Sequence, residues 1–384
     1  MKNKNFVFAL TILVSTIIGA GIFGIPYVVS KSGALLSLFY FLVLGGAAVL
    51  VHLLFGEIVL RNEGKRRIVG YAQKYFGKPG KLLMTFSTMA GLAGSLLAYG
   101  ILAGGFLKIV VSSFWPSAGL SSFIFTIIFF CALSFFIFRG LKTIAPIEIF
   151  TNVSFFLIIL AVFIIGLPKI DFSNFSLADG GQNLFFPYGV IMFSLVGWMA
   201  IPEIVDTLKN KEEKKWLKKI IILSTTFCLL LYLFFSFVVF GISGKNTTAD
   251  SLLGLAPFLG QKIIFFGALA AILTLIDSFL LIGLSLKNTL VYDLKLSKGL
   301  ASVITCFLPI ILFLVGFQSF IGTIGFMGAV LGTIDGIMIV LMYKKAKKIY
   351  DREPEYSLKI PSFLIYLLIL VFILGALSQV LYYL

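Results

Sequence analysis

Long apolar runs recur along the whole chain, separated by short segments that hold most of the charged residues. A helix needs roughly 20 apolar residues to cross the hydrocarbon core of a bilayer. Runs of about this length predict spans 1 to 11 at 6–30, 34–60, 82–107, 121–139, 143–167, 185–206, 219–243, 262–287, 299–316, 318–343 and 361–383. The pattern predicts an all-α polytopic membrane protein of about 11 transmembrane helices, in one membrane domain covering 1–384.

The basic residues test this layout, because Lys and Arg are enriched in the cytoplasmic loops of membrane proteins. If the N-terminus lies in the cytoplasm, most of the 31 basic residues fall on the inner side. The exceptions are Lys31, Lys108, Lys169, Lys245 and Lys262. A missed or invented span would disturb this alternation. We therefore expect a multi-pass protein of the cell (inner) membrane, with the N-terminus inside and the C-terminus outside.

Composition narrows the function classes. The chain is 60% hydrophobic and only 12% charged, which a soluble fold of 384 residues could not accommodate. The net charge of +15 follows from the inner loops, so we expect no nucleic-acid partner. The single histidine, His52, and three scattered cysteines provide neither a metal site nor a catalytic triad. We expect no cofactor and no enzymatic activity, and nothing in the sequence indicates an oligomeric state.

Span 1 contains a cluster of helix-breaking residues. Gly19, Gly21 and Gly24 are followed by Pro26, and each glycine costs about 1 kcal/mol relative to alanine inside a helix. An unwound stretch at this depth leaves amide groups that can bind a carboxylate. The alternative is a packing motif, because small residues let helices approach closely. Span 1 alone does not decide between these interpretations.

A second interruption favours the broken helix. Span 6 is broken by Gly189 and Gly197 and carries Pro187 and Pro202. Paired interrupted spans in two halves of a chain point to a transporter binding site. Because the offset is five spans, the two halves have opposite membrane orientations. We predict an inverted repeat, with repeat one at about 6–167, repeat two at about 185–343 and an extra span at 361–383.

Two segments resemble a known superfamily. The run Gly19–Tyr27 resembles the first-span motif of the amino acid–polyamine–organocation superfamily, and Ile201–Asn210 is similar to its sixth span. The resemblance is closest to the amino acid/auxin permeases and the aromatic amino acid permeases. It implies a leucine-transporter-type 5+5 fold plus one helix, with an amino acid held between spans 1, 3, 6 and 8.

Candidate substrate-binding residues follow from the breaks and from polar or aromatic positions near mid-membrane. They are Gly19, Ala20, Gly21 and Ile22 in span 1, Ser95 and Tyr99 in span 3, and Phe193, Ser194, Leu195 and Trp198 in span 6. We predict that Tyr99 binds the substrate carboxylate and that a large aromatic side chain closes the pocket. The largely apolar lining favours a neutral or aromatic amino acid.

Charged residues inside a span are costly and indicate function. Asp277 lies near the centre of span 8 and shares one helical face with Thr274 and Ser278. In families of this fold, small polar residues of span 8 and carbonyl groups of span 1, here near Ile18 and Gly21, can hold sodium. Asp277 could therefore bind a proton or ligate Na⁺, or only bond a neighbouring helix. Asp335 in span 10 is a second candidate for ion coupling or gating.

Polar residues near the inner ends of the predicted spans are expected to make local contacts. Glu57 is predicted to pair with Arg61 one turn on. Glu203 and Asp206 could form an inner gate or stabilise a helix end. His52 could make an interhelical hydrogen bond or relay a proton. The segment 68–76 could be a surface helix or a solvated basic loop.

The leading hypothesis is a secondary active transporter that moves amino acids by alternating access, coupled to H⁺ or Na⁺. An amino-acid-sensing receptor of the same fold and an ion carrier or channel are the alternatives. A receptor would bind ligand without flux, and a channel would pass current without an organic substrate.

Overall fold

The computed structural model describes residues 2–116, 119–139, 157, 159–175, 184–292 and 294–383. These residues form helices, turns and loops, with no strand among them. The α-helices are α1 Lys2–Ile17, α2 Gly21–Ser32, α3 Ala34–Leu60, α4 Ile68–Phe114, α5 Ser122–Arg139, α6 Ile159–Lys169, α7 Phe186–Leu195, α8 Ile201–Thr207, α9 Lys211–Lys214, α10 Leu217–Ser243, α11 Ala256–Leu259, α12 Gln261–Tyr292, α13 Lys298–Leu314, α14 Phe320–Phe326, α15 Gly332–Ala346 and α16 Ser362–Tyr383.

The apolar helices agree with the predicted spans. Within the described residues, 7 helical stretches are long and apolar enough to cross a membrane, and the pair α1–α2, bent by 49°, makes up to 8. Shorter apolar helices at Ile159–Lys169, Lys298–Leu314 and Ser362–Leu377 fall within predicted spans 5, 9 and 11. The first half of span 5, residues 143–156, lies outside the described residues. The count of eleven spans therefore stays a prediction.

The segment 68–76 is a helix, as one of the two alternatives predicted. It continues into span 3 as α4, across a kink at Gly77 with φ 67° and ψ −149°. Glycine adopts this positive φ without steric cost, and Pro79 follows in the next turn. The amphipathic start of α4 thus turns sharply before the chain enters the membrane.

Helix packing brings the two broken spans to the centre of the fold. α7 packs against α2, α3 and α14, and α10 packs against α1, α2 and α3. A Cβ atom at Gly189 of α7 would lie 2.1 Å from the carbonyl oxygen of Gly325 in α14, so the two backbones touch. Close backbone approach through small residues is typical of membrane helices, which gain little hydrophobic energy from association.

The linker 347–361 between α15 and α16 is bound to the C-terminal end of α3. The carboxylate of Glu57, fully buried, forms ion pairs with Arg61 at 2.8 Å and Lys347 at 2.7 Å. It also accepts hydrogen bonds from the Leu358 amide at 2.6 Å and the Ser357 hydroxyl at 3.2 Å. The predicted Glu57–Arg61 pair is confirmed, and it is the core of a larger cluster that holds the linker.

Candidate functional site

The break in span 1 covers residues 18–20, between the end of α1 and the start of α2. Tyr232 of α10 donates a hydrogen bond of 2.6 Å to the carbonyl group of Ile17, the last residue of α1. The hydroxyl groups of Tyr232 and Tyr99 also lie against the backbone of Gly19 and Ala20, respectively. The hydroxyl groups of two tyrosines thus contact backbone groups that a broken helix leaves without intrahelical partners.

The break in span 6 follows α7. Val196 has φ −69° and ψ 117°, and Gly197 has φ −147° and ψ −4°, so neither residue is helical. A 3-10 turn at Trp198–Ala200 then leads into α8. Pro202 occupies the first turn of α8, where its missing N–H is no loss. Both predicted interruptions are therefore present.

The two breaks are in direct contact. A Cβ atom at Gly21 would lie 2.3 Å from Oγ of Ser194 and 2.9 Å from its Cα atom. A Cβ atom at Gly197 would lie 2.4 Å from the side chain of Ile17. The start of α2 therefore packs on the end of α7, while the end of α1 packs on Gly197. Unwound backbone at membrane depth is tolerated only when protein or a polar cavity surrounds it, as here.

The remaining candidates of spans 1 and 6 lie in or beside the breaks. Ile22 and Leu195 are fully buried, and Ser194 donates to the Val190 carbonyl of its own helix at 2.8 Å. Phe193 is half-buried. In span 3, Ser95 lies one turn before Tyr99 and donates to the Gly91 carbonyl of its own helix at 2.9 Å. Its position beside the breaks stays a prediction, as do the roles of all these residues in substrate binding.

A cluster of three aromatic rings, absent from the predicted residues, lies beside the first break. The ring of Phe23 meets Phe106 of α4 and Phe235 of α10 edge to face, with centroids 5.1 and 6.3 Å apart. The carbonyl oxygen of Phe23 also accepts a hydrogen bond from Ser251. Sequence reasoning missed them because the chain has 42 phenylalanines and nothing local separates these three from the rest.

Trp198 contacts Asp335 of α15. Its fully buried indole donates from Nε1 to Oδ2 of Asp335 at 3.3 Å. Ser87 of α4 donates to the other carboxylate oxygen, Oδ1, at 2.6 Å. The ring of His52 lies 5.7 Å from that of Trp198, between centroids, and its Nδ1 is 2.6 Å from the Ala48 carbonyl of the same helix. Ser87 was not among the predicted residues.

The polar residues of span 8 lie on α12. Thr274 donates to the Ala270 carbonyl at 3.1 Å, Asp277 is buried and Ser278 is half-buried. α12 packs mainly against α4, with smaller contacts to α13 and α5. Proximity of Asp277 to the carbonyl groups near Ile18 and Gly21 therefore stays a prediction.

At the C-terminal end of span 6, two acidic residues meet one arginine. Arg67, just before α4, lies 3.5 Å from Glu203 and 3.5 Å from Asp206 of α8. All three side chains are partly exposed, so solvent screens the pairs and their contribution to stability is small. They connect the short second half of span 6 to the loop after α3, and a role of these acidic residues in a gate or at a helix end stays a prediction.

Comparison with known proteins identifies the family. The sequence profile of the tryptophan/tyrosine permease family matches residues 2–379. The chain belongs to this family. It is 25% identical to glutamine transporter 2 of Aliivibrio fischeri over 374 residues, covering 94% of each protein. It is 26% identical over 367 residues to tyrosine-specific transport system 1 of Haemophilus influenzae, covering 90% of this chain and 89% of that protein.

The fold agrees with a solved structure. The chain superposes on MhsT, crystallised in complex with L-phenylalanine, with a TM-score of 0.64. The match covers 97% of this chain and 96% of MhsT at 14% identity, which shows a common fold and nothing about the ligand of this protein. The predicted leucine-transporter-type fold and the resemblance to aromatic amino acid permeases are confirmed. This permease is a polytopic membrane protein of a transporter family, and permeases are not enzymes.

Proposed function

We propose that this permease is a secondary active transporter of neutral or aromatic amino acids that works by alternating access. The observation that carries the proposal is the contact between the two breaks, Gly21 against Ser194 and Gly197 against Ile17. Two unwound segments side by side bring together backbone amide and carbonyl groups that lie outside regular helical hydrogen bonding. These groups match the carboxylate and ammonium groups that all amino acids share.

The neighbouring side chains favour an uncharged substrate. Among the described residues, the side chains nearest to Gly19, Gly21 and Gly197 belong to Tyr99, Ser194, Ile17 and His52, and none of these is Arg, Lys, Asp or Glu. Side-chain charges that would select a cationic or anionic amino acid are therefore missing from these contacts. The carboxyl group of Asp335 meets the second break through the indole of Trp198. The relatives are named as tyrosine and glutamine transporters, and MhsT was crystallised with phenylalanine; all three amino acids have uncharged side chains.

Coupling to H⁺ or Na⁺ completes the proposal. Asp277, with Thr274 and Ser278 on the same face, could bind a proton, or could ligate sodium together with carbonyl groups near Ile18 and Gly21. Asp335 is a further buried carboxyl group in a predicted span, besides Glu57 and Asp277. By the distribution of basic residues, we place the protein in the inner membrane with its N-terminus in the cytoplasm.

Transport by purified protein in liposomes tests this function. We expect labelled tyrosine, tryptophan, phenylalanine or glutamine to exchange against the same amino acid inside the vesicles, without any ion gradient. An imposed proton or sodium gradient should then drive net accumulation. Binding in a thermal-shift assay without any flux would instead identify an amino-acid sensor, and current without an organic substrate would identify a channel.

The variant Asp277→Asn tests the role of span 8. If Asp277 couples the ion, exchange persists in the variant while gradient-driven accumulation is lost. The matched control is Asp171→Asn, because Asp171 is an exposed residue of the segment 168–184. Unchanged accumulation in Asp277→Asn would contradict the coupling role of this residue and leave amino-acid transport standing.

A further inference from the structure

We propose that Asp335 is the residue that binds the coupling proton of this permease, that the proton binds Oδ1, and that Trp198 transmits its binding to the break in span 6. This inference rests on the proposed transport function and deepens it by naming the proton site. Three features carry it: the two hydrogen bonds of the carboxyl group, the difference between their donors, and the position of Trp198 in the chain.

Asp335 is 7% exposed, and within the described residues it forms no ion pair. Its partners are two neutral donors, the Ser87 hydroxyl at 2.6 Å and the Trp198 indole at 3.3 Å. A buried carboxylate that faces a cation would stay ionised as a structural ion pair. A carboxyl group held by neutral donors can instead gain and lose a proton without leaving a buried cation unpaired.

The two oxygens of the carboxyl group differ in what their partners can do. A serine hydroxyl can rotate to donate or to accept, whereas an indole N–H only donates. A proton on Oδ2 would therefore face the indole N–H, donor against donor. A proton on Oδ1 is accommodated because the Ser87 hydroxyl turns and accepts it. The geometry selects Oδ1 as the atom that binds the proton.

Protonation of Asp335 weakens the hydrogen bond that its carboxyl group accepts from Trp198. Hydrogen bonds to an ionised acceptor are roughly twice as strong as those between neutral groups. When Oδ1 is protonated, Oδ2 becomes a neutral carbonyl oxygen and the Trp198 bond loses its charge assistance. Trp198 is the first residue of the 3-10 turn directly after Gly197. The proton on α15 therefore changes how firmly the break in span 6 is held.

The titratable groups around this site are few. On α3 the nearest is His52, whose ring contacts Trp198 and whose Nε2 has no partner among the described residues. The next on α3 is Glu57, already bound to Arg61 and Lys347. In the sequence of α4, no charged residue occurs between Lys81 and Lys108.

The other elements that pack on α15 add no charge near Asp335. α16 has no Asp, Glu, Lys or Arg between its first and last residues, and neither has the turn Met327–Leu331. Tyr188 of α7 reaches Thr333, two residues before Asp335, at 3.2 Å. On α15 itself the next titratable groups are Tyr343 and Lys344, more than two turns away toward the cytoplasm.

The variant Asp335→Asn tests whether protonation of residue 335 is needed for coupling. The amide carbonyl still accepts from Trp198 and the amide N–H donates to Ser87, so the variant copies the protonated carboxyl group at every pH. In liposomes without sodium, an inside-alkaline gradient of one pH unit supports an accumulation ratio of about ten at one proton per substrate. We expect wild type to accumulate substrate, and Asp335→Asn to retain exchange while losing accumulation. The matched control Asp171→Asn should accumulate like wild type.

Trp198→Phe provides a second, independent variant. It keeps the carboxyl group but removes the indole N–H that links Asp335 to the break in span 6, so proton-driven accumulation should fall below that of wild type. Because the carboxylate loses one donor, proton binding becomes easier, and the midpoint of the pH dependence of exchange should move upward by about one pH unit. If Asp335→Asn fails to fold, as judged by size-exclusion chromatography, an unchanged midpoint in Trp198→Phe overturns the proposal.

Two other outcomes overturn it directly. Proton-driven accumulation that persists in Asp335→Asn excludes this residue as the proton site. Wild-type accumulation that requires a sodium gradient and ignores a proton gradient excludes the proton. In both cases exchange in the wild type still supports amino-acid transport. Absence of exchange for the whole amino-acid panel is the different result that rejects the proposed function and this inference with it.

Discussion

At the residue scale, two glycines allow the breaks in spans 1 and 6 to lie in contact. At Gly21 the neighbouring atoms include the Cα atom of Ser194, so the obstacle is backbone and cannot rotate away. At Gly197 the obstacle is the side chain of Ile17, which can adjust. The two positions look alike in the sequence, yet only the first is closed to any side chain.

Gly21→Ala is therefore expected to be damaging. The added methyl group would push α2 away from α7, and overpacking of this kind typically costs about 1–3 kcal/mol. We expect a lower melting temperature in detergent, measured by tryptophan fluorescence, and loss of exchange activity in liposomes.

Gly46→Ala in α3 is the matched control, because a Cβ atom there would have no neighbour within 4 Å. Alanine favours the helix by about 1 kcal/mol over glycine, so this variant should be as stable as wild type or more stable. Equal behaviour of the two variants would contradict the close contact of the breaks.

The linker 347–361 shows at the element scale how a segment without regular structure is held. Its backbone amides at Asp351 and Arg352 donate to the carbonyl group of Arg61, at the end of α3. The buried carboxylate of Glu57 then organises Lys347, Ser357 and Leu358 around it. The C-terminal ends of α3 and α15 are thereby connected through one acidic side chain.

Removal of the negative charge of Glu57 should weaken the contacts between the linker 347–361 and α3. Glu57→Gln leaves Arg61 and Lys347 without their buried counter-charge, and breaking a buried pair costs about 3–5 kcal/mol. The expected result is a marked fall in melting temperature and faster proteolysis within 347–361. Glu212→Gln, which affects an exposed pair with Lys215, should change stability by no more than about 0.5 kcal/mol. Similar losses in both variants would contradict the buried cluster.

Asp351 makes the contribution of the same linker to protein stability depend on pH. The hydrogen bond from the Lys74 ammonium, reinforced by the Glu63 amide, holds the pKa of Asp351 below its ordinary value of 3.8. A depressed pKa contributes stability above the ordinary value, and the contribution disappears as the pH falls through the folded-state pKa.

The melting temperature of Asp351→Asn should therefore lie below that of wild type at neutral pH, and the difference should vanish in strong acid. Fluorimetric melting curves between about pH 3 and pH 8 measure it. Glu63→Gln, at an exposed side chain, is the control and should follow wild type throughout. A gap between wild type and Asp351→Asn that widens toward acid would contradict this assignment.

Orientation in the membrane is a property of the whole molecule. The distribution of Lys and Arg places the segment around Lys211 inside and the start of α12 at Lys262 outside, and both side chains are exposed. In a variant with its three native cysteines replaced by alanine, a membrane-impermeant maleimide should label Lys262→Cys in intact cells.

Lys211→Cys should react only after the membrane is permeabilised, and the parent without cysteines should not react at all. The reverse pattern would place the N-terminus outside. It would leave the fold intact, because both orientations are compatible with the same helix packing.

Local properties of the chain were predictable from the sequence. Hydropathy placed the apolar helices, and clustered glycine and proline located both breaks, because each depends on residues that adjoin one another. The i, i+4 pair Glu57–Arg61 followed from helical geometry alone. The motif at Gly19–Tyr27 added the family, which the comparisons confirm. The repeat boundaries, the count of eleven spans and the position of Asp277 beside the first break stay predictions.

Only the tertiary structure decided which distant residues meet. Trp198 and Asp335 were both candidates from the sequence, but for separate roles, and they lie 137 positions apart. Ser87 carried no signal, because one serine in an apolar helix is unremarkable until its partner is known. A hydropathy pattern determines that a helix spans the membrane and leaves its rotation and its neighbours open. The packing of one helix against another determines both the rotation and the neighbours. In this protein it brings the two breaks into contact and places the buried carboxyl group of Asp335 beside the second break.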